Sequence, residues 1–93
     1  MLIAIPISEK EGEIQEILSH EGTESVIDGV GFQDRKLCVF LRVTYTGKRN
    51  KLRFIVYRVR GISFSLDYSV RPIGTVTTRY SDEDETLIVY EVL

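Results

Sequence analysis

Two neighbouring segments, residues 37–46 and 51–60, constrain this chain most, because each reads as a strand that is apolar on both faces. Gly47-Lys48-Arg49-Asn50 lies between them and has the composition of a four-residue hairpin loop. Pairing Thr46 with Lys51 sets Phe40 beside Tyr57 and Cys38 beside Val59 on one face, while Leu41, Val43, Phe54 and Val56 share the other. A doubly apolar ribbon has to be covered twice, since several large side chains left wet forgo several kcal/mol at ~25 cal/mol per Å². The second cover is either a partner molecule, the preferred expectation, or closure of the sheet on itself as a barrel or sandwich.

The flanking sequence supplies the other elements. Residues 1–7 read as a buried strand without the leading basic residues of a signal peptide. Ser8 and Glu11 have capping-box spacing, and Ile14, Ile17 and Leu18 fall at i, i+3, i+4, which predicts a short amphipathic helix over residues 9–20. Gly12 weakens that helix by about 1 kcal/mol relative to alanine. A competing hairpin turn at Glu11-Gly12 is disfavoured because these apolar residues do not alternate. Residues 22–34 are mixed, with Ser25-Val26-Ile27 a short strand followed by the glycine-bearing segment Asp28-Gly29-Val30-Gly31.

Beyond residue 60 the signals clear. Gly61 marks a tight turn, and Ile62, Phe64, Leu66, Tyr68 and Val70 alternate with polar residues. Arg71-Pro72-Ile73-Gly74 reads as a turn, 75–80 as a strand, 81–85 as an acidic turn and 86–92 as the last strand. The expected architecture is a single α+β domain spanning 1–93, with an N-terminal strand and one helix on an antiparallel meander of about five to six strands.

Charge is segregated along the chain. Residues 1–34 hold eight acids against Lys10 alone, a net of −7; residues 35–79 hold eleven cations against Asp67 alone, a net of +10; and residues 80–93 return to −5. The basic stretch 47–60 contains Lys48, Arg49, Lys51, Arg53, Arg58 and Arg60, six cations that as a hairpin could follow a phosphate backbone while Phe54 or Tyr45 stacks on bases. The opposing interpretation pairs these cations with the acidic helix and tail, within one chain or across an oligomer, and the pI near 5.4 favours that pairing.

Catalytic and metal signatures are sparse. His20 is the single histidine and Cys38 the single cysteine, so no paired metal-ligand spacing or Ser/His/acid signature is present. Cys38 reads as a small buried hydrophobe. Asp82-Glu83-Asp84-Glu85 lacks the spacing of a calcium loop and reads as a solvated hairpin tip. No apolar run approaches the ~20 residues that cross a bilayer, and one unpaired cysteine suits the reducing cytosol. The sequence therefore predicts a non-catalytic, cofactor-free, cytoplasmic binding or assembly module. It is expected to be a homodimer and to contact RNA or DNA through 47–60; the alternative is a purely structural homo-oligomer.

Overall fold

The computed structural model describes residues 1–59, 69–80 and 83–93, and within these the chain is all β. Seven strands are present among the described residues: β1 (Leu2–Pro6), β2 (Gln15–Leu18), β3 (Thr23–Gln33), β4 (Lys36–Tyr45), β5 (Lys51–Arg58), β6 (Val70–Tyr80) and β7 (Glu83–Val92). They form two antiparallel sheets, one of three strands in the order β1-β4-β3 and one of four in the order β2-β5-β7-β6. The expected Gly61 turn and the alternating segment from Ile62 to Tyr68 lie outside the described residues, as do Arg60, Ser81 and Asp82.

The α+β expectation is overturned, because residues 9–20 hold a turn and a strand where a helix was expected. Ser8 Oγ accepts from Lys10 N at 3.1 Å, an i to i+2 contact that closes a turn in place of a helical cap. The Gln15 side chain bonds back to Ser8 N and O at 2.6 and 2.8 Å, and Gly12 turns with φ +79° while donating to Val56 O. Glu11, the expected capping partner, accepts instead from Arg58 N at 2.9 Å. Ile17 then pairs with Leu52 and packs on the core, whereas Leu18 points to solvent, so the supposed stripe is split between two faces.

The meander is corrected as well. β4 and β5 do not pair; β4 lies between β1 and β3, and β5 between β2 and β7. Residues 46–50 cross from one sheet to the other, with Gly47 at φ +75° and the amides of Thr46 and Gly47 both donating to Gly22 O. Two adjacent segments apolar on both sides gain more by facing each other across an interior than by lying edge to edge in one exposed sheet. Leu37, Val39 and Leu41 of β4 meet Phe54 and Val56 of β5 and Leu87 and Val89 of β7, all essentially without exposure. The face assigned to a dimer partner is thus the interior of a two-sheet sandwich, and sheet closure covers it.

Two further stretches read as punctuation are strand. Residues 23–33 form one long strand, in which Asp28 is the extra residue of a bulge between Ile27 and Gly29. Pro72-Ile73-Gly74 is a second bulge, within β6. The bulged parts of β3 and β6 adjoin at one seam, where a Cβ on residue 74 would lie 2.8 Å from Val30 Cγ2; glycine permits this close approach. β3 and β4 are joined by Asp34 and Arg35, both at positive φ (51° and 64°), as a two-residue hairpin of the twist-matched type demands.

Among the described residues, each strand at the edge of a sheet carries a feature that discourages pairing with another chain. β1 ends at Pro6, β2 has only four residues, β3 is bulged at Asp28, and β6 holds Pro72 and a bulge. Association through the edges is thereby disfavoured, which leaves the sheet faces.

Candidate interaction surfaces

Register decides where five of the six sequence-predicted site residues go, Arg60 lying outside the described residues. Lys48 and Arg49 sit in the crossover, and Lys51 and Arg53 alternate onto the outer face of the four-stranded sheet; all four are exposed. Arg58, five residues beyond Arg53, falls on the opposite face by the period of two and is half-buried. The structure therefore gathers Lys48, Arg49, Lys51 and Arg53 at one end and separates Arg58 from them. Of the proposed stacking residues, Phe54 is fully buried and unavailable to a base, whereas Tyr45 stands 81% exposed beside the crossover.

Acids accompany the cations inside the one chain. Lys51 Nζ lies 3.9 Å from Glu16, Arg42 2.8 Å from Asp28 and Arg71 2.7 Å from Glu91. Arg58 pairs with Glu85 and also donates to Glu9 O at 3.5 Å. The segregation of charge along the sequence thus becomes cross-strand proximity, with the acidic first third and the acidic tail flanking the basic middle. Exposed pairs of this kind contribute at most about 1 kcal/mol each, so they neutralise the surface more than they hold the fold.

The crossover is anchored by a polar clamp. Asn50 Oδ1 accepts from Ser25 N and Nδ2 donates to Ser25 O, both at 2.8 Å, so one side-chain amide presents to β3 the donor and acceptor of a paired strand residue. On its backbone side Asn50 N donates to Ser19 Oγ at 2.9 Å, and its carbonyl accepts from Ser19 N at 3.0 Å. Ser19 Oγ in turn donates to Thr23 O, and Arg49 Nε donates to Ser19 O, both at 2.7 Å. Part of the basic cluster therefore braces the joint between the sheets.

Compared with known proteins, the chain matches no family model, no curated protein and no solved structure. Its chemistry is read from its own surface alone. His20 is exposed, its carbonyl holding Thr23 N and Oγ1, and among the described residues no His, Cys, Asp and Glu side chains gather as a metal site. Cys38 is a free, buried thiol at a shallow recess of about 300 Å³ that is also lined by Ala4, Pro6 and Lys36.

The surface that sequence reasoning missed is the outer face of the three-stranded sheet. Leu2, Arg42 and Val26 form one row across it; Ala4, Phe40 and Gly29 form the next; Pro6, Cys38 and Gly31 form a third. Leu2 is 58% exposed and Val26 64%, while the Phe40 ring lies over Gly31, covering the gap its missing side chain leaves. Period-two alternation in β1 and β4 carried this signal, but in β3 the glycines and the bulge concealed it.

Proposed function

We propose that this protein is a non-catalytic assembly module that acts as a homodimer. The observation that carries the proposal is the apolar outer face of the β1-β4-β3 sheet, where Leu2 and Val26 remain mostly wet although the sandwich interior is full. A further feature supports it: the described edges are blunted against strand addition, which leaves the faces as the route to association. Sedimentation equilibrium on the whole chain is expected to give a mass that rises with concentration, over micromolar to submillimolar protein, from 10.7 kDa towards twice that value. A strict monomer throughout that range excludes the proposal.

Nucleic-acid contact is the second reading, favoured by the exposure of Lys48, Arg49, Lys51 and Arg53 beside Tyr45. Glu16, Glu21 and Glu24 lie at the same end: Glu16 stands opposite Arg53, Gly22 O takes the amides of the crossover, and Glu24 pairs with Thr44. Four cations among three acids make a weak anion surface, so this reading ranks second. Under it, retention of an RNA or DNA oligonucleotide falls steeply with salt and is lost on reversing Lys48, Arg49 and Lys51 to glutamate. Binding indifferent to both excludes it.

A further inference from the structure

We infer that the crossover end of the sandwich binds single-stranded nucleic acid, with an unpaired base stacked on Tyr45 and neighbouring phosphates taken by Lys48, Arg49, Lys51 and Arg53. The inference rests on the nucleic-acid reading above and adds the form of the ligand and the residue that selects it.

Tyr45 continues the inward-facing series Leu41 and Val43 along β4, but it lies past the end of the core and stands 81% exposed. The ring borders a backbone that is held in place. Thr46 N and Gly47 N donate to Gly22 O at 3.1 and 3.0 Å, Lys48 N donates to Thr46 Oγ1 at 3.2 Å, and Asn50 is clamped to Ser25. A platform on a braced segment loses little freedom when a base settles on it. His20 is a second exposed ring, beside the turn whose Gly22 carbonyl holds the crossover.

The cations are open to a phosphate. Arg49 Nε donates to Ser19 O, which fixes the guanidinium while the residue stays exposed. Lys48, Arg49 and Arg53 form no ion pair among the described residues, and of the four cations only Lys51 has an acid in reach, Glu16 at 3.9 Å. Lys51 and Arg53, two residues apart, carry the positive track along the outer face of β5.

The number of cations decides the form of the ligand. A duplex binder that relies on the backbone commonly makes roughly six to ten phosphate contacts, and four cations with Glu16, Glu21 and Glu24 close by fall short of that. A base stacked on a ring adds roughly tenfold in affinity whatever its identity, yet only a strand with unpaired bases can present one. A single strand therefore gains here what a duplex withholds. Stacking and phosphate contacts do not involve the 2′-hydroxyl, so RNA and DNA are equivalent ligands. The expected dissociation constant is roughly 10–100 µM at low salt.

Fluorescence anisotropy at low salt tests this on the full chain, using a labelled RNA of about 12 nucleotides, the DNA of the same sequence, and each annealed to its complement. The two single strands should bind within about threefold of each other and about tenfold tighter than either duplex. Tyr45→Ala should weaken single-strand binding about tenfold, His20→Ala about threefold and Tyr45→Phe less than about twofold, with duplex binding unchanged. Because Tyr45 is exposed, Y45A should keep the wild-type circular dichroism and melting curve. Single-strand binding that is indifferent to Y45A, or no tighter than duplex binding, overturns the inference and leaves the nucleic-acid reading intact. A preference between RNA and DNA beyond about tenfold overturns the proposed set of contacts. Failure of all four probes to bind at protein concentrations up to about 500 µM removes both the inference and the reading beneath it.

Discussion

Asn50→Ala is expected to destabilise the protein by about 2–4 kcal/mol, because it removes the partners of a backbone donor and a backbone acceptor of the buried Ser25. Ser25 is only 5% exposed with the Asn50 side chain in place, so the two bonds lie largely out of solvent. The bonds from the backbone of residue 50 to Ser19 Oγ and Ser19 N survive the substitution, which confines the loss to the side chain. Asn50→Asp keeps the acceptor for Ser25 N but sets a carboxylate against Ser25 O, so it should cost at least as much. Lys48→Ala, in the same crossover but exposed, should change stability by less than about 0.5 kcal/mol. Urea denaturation of the three variants checks this, and an N50A midpoint equal to that of K48A removes the clamp from the account.

Phe54→Ala should cost about 3–5 kcal/mol, a large part of the net stability of a domain this size. Its ring is fully buried between the sheets, against β4 and β7 residues that are themselves closed off, so the vacated volume cannot be filled by a neighbouring loop. Val26→Ala, an apolar truncation on the exposed face of β3, should cost under about 0.5 kcal/mol in stability. The contrast matters because both residues look alike in sequence, each an apolar position in a β-rich run. Equal thermal shifts for F54A and V26A would place the core on the wrong side of the sheets.

Much of the strand content was legible in the sequence, and the pairing was not. The extents of β4 and β5 follow from their β-branched and aromatic runs, and the grouping of Leu41, Val43, Phe54 and Val56 on a shared apolar side survives in the sandwich interior. Their mutual arrangement was misread because a glycine-led four-residue link serves equally a hairpin or a passage between sheets. The deciding contact, Asn50 with Ser25, spans twenty-five residues and has no local signature. The helix was misread for a related reason. Apolar residues at i, i+3, i+4 are few in so short a segment, and pairing with Leu52 and Phe54 outweighed local propensity.

The remaining misreadings share one cause. Asp28, Gly29, Gly31, Pro72 and Gly74 are turn formers in isolation, yet here they are the bulges and close approaches that bend two long strands towards a common seam. At the candidate surface, the exposure of Lys48, Arg49, Lys51 and Arg53 was readable from composition. Their company of acids was not, because Glu16, Glu21 and Glu24 come from a segment that reaches them only through tertiary pairing.

The strand order also bears on how the molecule comes together in time. β1 is zipped to residues 32 to 40 positions later, and among the described residues β2 has no hydrogen-bonding neighbour except β5, so neither of the first two strands is held until distant sequence arrives. Closing such wide loops spends chain entropy before any contact repays it, which places folding in the millisecond-to-second regime of all-β topologies. During synthesis the opening residues must wait, unpaired, for the ribosome to deliver the middle of the chain.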